Sequence, residues 1–214
     1  MTAPAPARLT SRAERTRATI LESAEALFAE RGFEATRLED VAERVGIRRA
    51  SIVYYFRDKR ELYEAVLQDV FSELLAGVEA ALDGPGPLLA RVDAAIGAWV
   101  DTIGRRPSLP QLLLREVLDA RGRGPVLREQ TEPFFALVRR VMARSADDPL
   151  VHHVDPAHVT SAIAGASLFQ LTALPALVPE LGDPLAPERL AHHREQLVRL
   201  AHRLLRAPRR AERT

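Results

Sequence analysis

Apolar residues along this chain recur three and four positions apart, and runs that alternate apolar with polar between turn-forming dipeptides are missing. That pattern confines the chain to helices. Ile20, Ala24, Leu27 and Phe28 fall on one face of a helix from Ser11 to Arg31, and Gly32 supplies its stop. Thr36-Arg37-Leu38-Glu39 fits a capping box that opens a second helix. Gly46, ten residues later, can take the left-handed conformation of a sharp turn into a third helix, roughly Arg48 to Tyr55. A long helix follows from about Lys59 to Leu82.

Proline and glycine punctuate the rest. DGPGP at 83–87 and RRPSLP at 105–110 bracket a helix from Leu88 to Gly104. Further helices are predicted at about 109–120, 126–145, 156–178 and 187–206, with Pro133 kinking or restarting the second of these. No apolar run approaches the roughly 18 residues of a membrane span, and the first twenty residues lack the apolar segment of a secretory signal. A cytoplasmic protein without a membrane partner is the expectation. Cysteine is absent, which excludes disulfides, thiol nucleophiles and cysteine-ligated metals.

The net charge of +1 conceals a local basic excess. Residues 1–60 carry eleven Arg and one Lys against nine acids, whereas the remainder is slightly acidic. Between 44 and 60, Arg44, Arg48, Arg49, Arg57, Lys59 and Arg60 face a single acid, Asp58. Such a cluster marks either a phosphate-binding surface or a solvated helix face. The helical pattern favours the first. Two short helices around a glycine turn, buttressed by another helix and ending in a basic, aromatic segment, describe a helix-turn-helix. Ile47, Ile52, Tyr55 and Phe56 supply the back of its second helix, leaving Arg48, Arg49 and Ser51 for a major groove, with Tyr54 at the edge.

The stretch from Thr36-Arg37-Leu38-Glu39 through Gly46-Ile47-Arg48-Arg49-Ala50-Ser51-Ile52-Val53-Tyr54-Tyr55-Phe56 to Lys59-Arg60-Glu61-Leu62 resembles the signature of the tetracycline-repressor-like (TetR) transcriptional regulators. The resemblance spans about residues 11–70. It implies phosphate contacts from Thr36, Tyr54 and Lys59, and base contacts from Arg48, Arg49 and Ser51; Arg37 is a further DNA-binding candidate. Two positions depart from the family pattern, which has Ser or Thr at Arg48's place and Tyr at Val53's. The first departure removes a helix cap worth on the order of 1 kcal/mol. Arg8, Arg12, Arg15 and Arg17 form either a minor-groove arm or solvated charge.

The expected architecture is all-α: a flexible arm at 1–10, a DNA-binding domain at 11–58, a ligand-binding and dimerisation domain at 59–207, and a tail at 208–214. The family's habit implies a homodimer on double-stranded DNA and a small-molecule effector. Small residues Ala162, Gly165 and Ala166 with Phe169, and a near-heptad stripe of Leu190, Leu197, Leu200 and Leu204, are candidate dimer contacts. Trp99, Ile103, Leu113, Phe134, Phe135 and Phe169 are candidate pocket residues, or plain core.

A metal-dependent enzyme is the competing class. Asp155 with His158, and Glu188 with His192, place carboxylate and imidazole on one helix face, but the paired Glu-x-x-His motifs of a helical di-metal site are missing. No catalytic residue, metal or cofactor is assigned. His152, His153, His192, His193 and His202 are expected at the surface. A ligand-independent interaction module would need no basic recognition helix.

Overall fold

The computed structural model describes residues 11–145 and 155–205; the arm, the tail, Arg8, His152 and His153 lie outside the described residues. Among the described residues every regular element is helical. The chain divides into two compact units, Met1–Gln68 and Asp69–Thr214.

In the first unit α1 (Ser11–Ala35), α2 (Leu38–Val45), α3 (Arg49–Tyr55) and the start of α4 (Lys59–Leu82) surround one core. Ile20, Ala24, Leu27 and Phe28 are all buried, as their spacing predicts, and Val41, Ile52, Phe56 and Leu62 complete the core. Gly32 sits at φ 82°, ψ 169°, so the helical ladder of α1 is interrupted there. Gly46 takes the left-handed conformation at φ 74°, ψ 31° and turns the chain from α2 into α3. The capping box expected at Thr36 and Glu39 lies one residue later: Arg37 precedes the helix, and its N–H donates to the Asp40 carboxylate at 2.9 Å. Thr36 is unavailable because its hydroxyl donates to the Gly32 carbonyl at 2.8 Å.

The second unit comprises the rest of α4, α5 (Leu88–Arg105), α6 (Leu109–Arg144), α7 (Pro156–Leu168), a π-helical turn (Phe169–Ala173), α8 (Leu174–Leu177), a 3-10 turn (Pro179–Leu181) and α9 (Pro187–Leu205). Both predicted breaks, at 83–87 and 105–110, are present. The expected break between 120 and 126 is not: α6 is one helix with Pro125 and Pro133 inside it, each losing one N–H bond without ending the ladder. Pro175 has a larger effect. Its ring would crowd the Leu171 carbonyl in a regular helix, and the ladder widens just before it, with the Leu174 N–H reaching back to Phe169.

Two apolar clusters hold this unit together. Leu74, Val78, Leu82, Leu88, Ala95, Leu137 and Val141 join α4, α5 and α6. Ile96, Val100, Leu197 and Ala201 join α5 to α9, with Ala166 and Leu190 packed against them. Leu197 therefore is not a dimer contact as the heptad stripe suggested; at 2% exposure it is already covered within its own chain. Gly165 is exposed, with nothing within 4 Å of the position a Cβ would take. Phe169 is 54% exposed, while Ala162, Leu200 and Leu204 are half-buried. The stretch Pro156–Leu177 also departs from expectation: with no charge and a mean hydropathy of 1.3 it is long and apolar enough to cross a membrane by length and composition, and little of it is buried.

At the α5–α7–α9 junction, Ser167 satisfies three groups with one hydroxyl. It accepts the Trp99 Nε1–H at 2.9 Å, donates to the Ile163 carbonyl at 3.1 Å, and lies 3.0 Å from His193 Nε2. When the Ser167 proton goes to Ile163, the hydroxyl accepts from His193 in its Nε2–H tautomer. His193 thus is not the surface residue expected. Burial, and to a lesser degree the neighbouring His192, push its pKa below the ordinary value of 6.5. His202, also expected at the surface, is half-buried against Asp93 at 2.7 Å. The folded state resists protonating His193 whereas the unfolded state does not. Stability contributed by neutral His193 should therefore be fully present above pH 6.5 and fall as pH drops below it. Urea unfolding of wild type and His193→Gln between mildly acidic and neutral pH should show a steeper acid-side loss in the wild type.

Candidate nucleic-acid interface

Seven residues make α3, too few to persist as an isolated helix. No side chain caps its start, since Arg48 stands at the N-cap in an extended conformation, and the turn is closed by the Ser51 N–H donating to the Arg48 carbonyl at 2.8 Å. Burial of Ile52 and Phe56 holds it instead, with Ile47 and Tyr55 half-buried beside them. The Arg17 guanidinium lies 5.2 Å from the centre of the Phe56 ring and covers its outer side.

The opposite face is open. Arg48, Arg49, Ala50, Val53 and Tyr54 are exposed and Ser51 is half-exposed. Arg49 Nε pairs with Glu39 of α2 at 2.7 Å. That pair steers the guanidinium. Tyr54 is 77% exposed and rests edge-on against Tyr55, ring centres 5.1 Å apart. Val53, 40% exposed, lies in the middle of this face with Ala50. Sequence reasoning assigned neither a role, although both offer the small apolar surface that suits a thymine methyl group. Their signal was present: apolar residues on the polar side of an amphipathic helix.

The charge around α3 is less free than its sequence suggests. Arg44 approaches Glu30 at 3.8 Å, Arg57 meets Asp58 at 3.4 Å, and Arg60 meets Glu64 at 2.9 Å. Asp58 caps α4 by accepting the Glu61 N–H at 2.9 Å, and that bond, with Arg57 adding to it, holds its carboxyl below the usual range. Arg37 is exposed beside the start of α2.

Two of the phosphate contacts implied by resemblance occupy different positions. Thr36 has no exposed surface, and its hydroxyl bridges the Gly32 and Leu27 carbonyls at 2.8 and 3.3 Å. It cannot meet a phosphate in this arrangement. Lys59 is half-buried; its Nζ donates to the carbonyls of Phe33 and Glu34 at 2.8 and 3.2 Å and lies 4.4 Å from the Phe33 ring centre. The ammonium thereby closes the end of α1 and retains one N–H for a further acceptor.

In the second unit an apolar cavity of about 450 Å³ lies among α4, α5, α6 and α7. Trp99, Leu113, Phe134 and Phe135 line it as expected, together with Met142. Ile103 is fully buried outside it, and Phe169 points away into solvent. Ile103 shares the α5 face of Ile96 and Trp99 but lies one turn beyond them, whereas Phe169 falls off the face of its helix that carries Val159, Thr160 and Ile163. No group of three or more His, Asp or Glu side chains is placed to hold a metal among the described residues.

Residues 20–66 match the model of the bacterial regulatory proteins of the tetR family. Over 87 residues the chain is 36% identical to the HTH-type transcriptional activator FasR of Mycolicibacterium smegmatis, covering 41% of this chain and 40% of FasR. Over 71 residues it is 39% identical to the HTH-type transcriptional regulator RutR of Escherichia coli K12, covering 33% and 34%. The matches thus span well under half the length of these curated relatives. The crystal structure of the TetR-family regulator PfmR from Thermus thermophilus superposes with a TM-score of 0.66 at 20% identity, over 95% of this chain and all of that one. The chain carries the N-terminal domain of the tetR family, and its all-helical architecture is that family's fold.

The buried Thr36 hydroxyl leads to a prediction. Thr36→Val should leave the Gly32 carbonyl unsatisfied and cost about 1–3 kcal/mol of stability. The slope of DNA affinity against salt should stay unchanged, because no phosphate contact is lost. Denaturant unfolding and a salt titration of DNA binding measure the two.

Proposed function

We propose that the protein is a dimeric transcriptional repressor that binds a palindromic operator through α3 and is released by a small molecule held in the second unit. The observation that carries this is the division of α3 into a buried back of Ile52 and Phe56 and an exposed front of Arg48, Arg49, Val53 and Tyr54. That front has the width and chemistry to enter a major groove. Arg37, Lys59 and Tyr54 flank it as phosphate partners, and Arg48, Arg49 and Ser51 face the bases. No catalytic role is assigned, and the workplace is the cytoplasm, where the DNA is.

Dimerisation is supported by surface that one chain leaves uncovered. The uncharged stretch Pro156–Leu177 is mostly half-buried within its own chain, with Gly165, Phe169 and Leu177 exposed. A second copy of the same face, with Ala162, Leu200 and Leu204 at its margin, would bury it. Two recognition helices would then reach half-sites about 34–36 Å apart. Release follows if an occupant of the 450 Å³ cavity favours a state whose half-site spacing no longer matches.

Two experiments test these roles. Selection from random duplexes with wild type and Arg49→Ala should yield motifs that differ at one base pair per half-site, with about 1–3 kcal/mol lost at that pair. A uniform loss over all sequences would make Arg49 a phosphate contact. Gly165→Arg, which meets open space in its own chain, should give a folded monomer by light scattering, because an unpaired charge at a closed seam is costly. An intact dimer would move the interface elsewhere.

A further inference from the structure

We infer that the effector is an uncharged, largely hydrocarbon molecule of medium chain length, and that the cavity excludes carboxylates. The inference rests on the reading of the second unit as a ligand-binding module and adds the class of ligand. Among the described residues, the lining holds no charged side chain; its polar groups are the hydroxyls of Thr131 and Thr160 and the indole of Trp99. The indole N–H is unavailable to a ligand, because Ser167 accepts it at 2.9 Å. Trp99 therefore presents carbon to the cavity. An ionised group placed there would lose its hydration with no cation among the described lining residues to replace it. A hydrocarbon chain loses nothing and removes apolar wall from water.

Size narrows the class further. A cavity of about 450 Å³ lies within the range of sites that enclose a single small organic molecule, which suits a chain of roughly a dozen or more non-hydrogen atoms. One hydroxyl or carbonyl on such a molecule can meet Thr160 of α7, so a single polar group fixes its direction.

The chain supplies its own reporter, since Trp99 is its sole tryptophan and lines the cavity. Full-length protein is titrated with dodecanol and with dodecanoate at mildly alkaline pH, where the carboxylate is ionised. Trp99 emission is followed alongside affinity for a duplex enriched by selection. Dodecanol should shift the emission saturably and weaken DNA binding, with dodecanoate at least tenfold weaker. Ala164→Phe and Val138→Phe, which fill the cavity from α7 and α6 without adding an indole, should each abolish the dodecanol response. One folded variant of the two suffices. Equal or tighter binding of dodecanoate, no response to either probe, or an undiminished response in the folded filled variant would overturn the inference. Dodecanol binding that leaves DNA affinity unchanged would uphold the ligand class and overturn the effector reading.

Discussion

Burial of Ile52 and Phe56 beneath α3 is the interaction on which the interface depends. A seven-residue helix without a side-chain cap has little stability of its own. Each buried side chain supplies on the order of 2 kcal/mol, and their placement fixes which face of the helix remains outside. The same packing that makes α3 exist thus decides that Arg48, Arg49, Val53 and Tyr54 are presented together. Gly46 sets the angle at which this happens, because its left-handed backbone brings α3 against α2 within a single turn.

Around that helix, charge is arranged more than accumulated. The pairs Arg44–Glu30, Arg57–Asp58 and Arg60–Glu64 lower the net field at the edges, and each is exposed and weak enough to yield to a phosphate. The Arg49–Glu39 pair, with Nε at 2.7 Å from the carboxylate, orients the guanidinium. Lys59 illustrates a double duty. It ties α4 to the end of α1 through two carbonyls, and a phosphate accepting its remaining N–H would be held at a position the fold itself has fixed.

The helix-turn-helix was legible because local signals agree: the apolar spacing of α1, the Gly46 turn and the aromatic back of α3 all specify the same arrangement. What escaped were outcomes decided by competition between partners. Thr36 had a plausible cap partner in Glu39, but the carbonyl exposed by the interrupted helix at Gly32 lies closer. Leu197 and Leu200 share a stripe in sequence, yet α5 covers only the first. Phe169 has the composition of a pocket residue and the exposure of a surface one, since it falls on the side of its helix away from Val159, Thr160 and Ile163. His193 looked like one more surface histidine until α7 placed Ser167 against it. Spacing gives the face of a helix; it does not say which neighbour arrives there.

In the proposed complex two copies of α3 enter successive major grooves on one side of a duplex. Chemical interference on a selected operator addresses it directly, because methylation of guanine N7 blocks the major groove and methylation of adenine N3 the minor groove. Modified duplexes that fail to bind should carry N7 methylation in two symmetric patches about one helical turn apart, with adenine N3 methylation tolerated at those positions. Interference confined to the minor groove, or a single patch without a symmetric mate, would contradict the account.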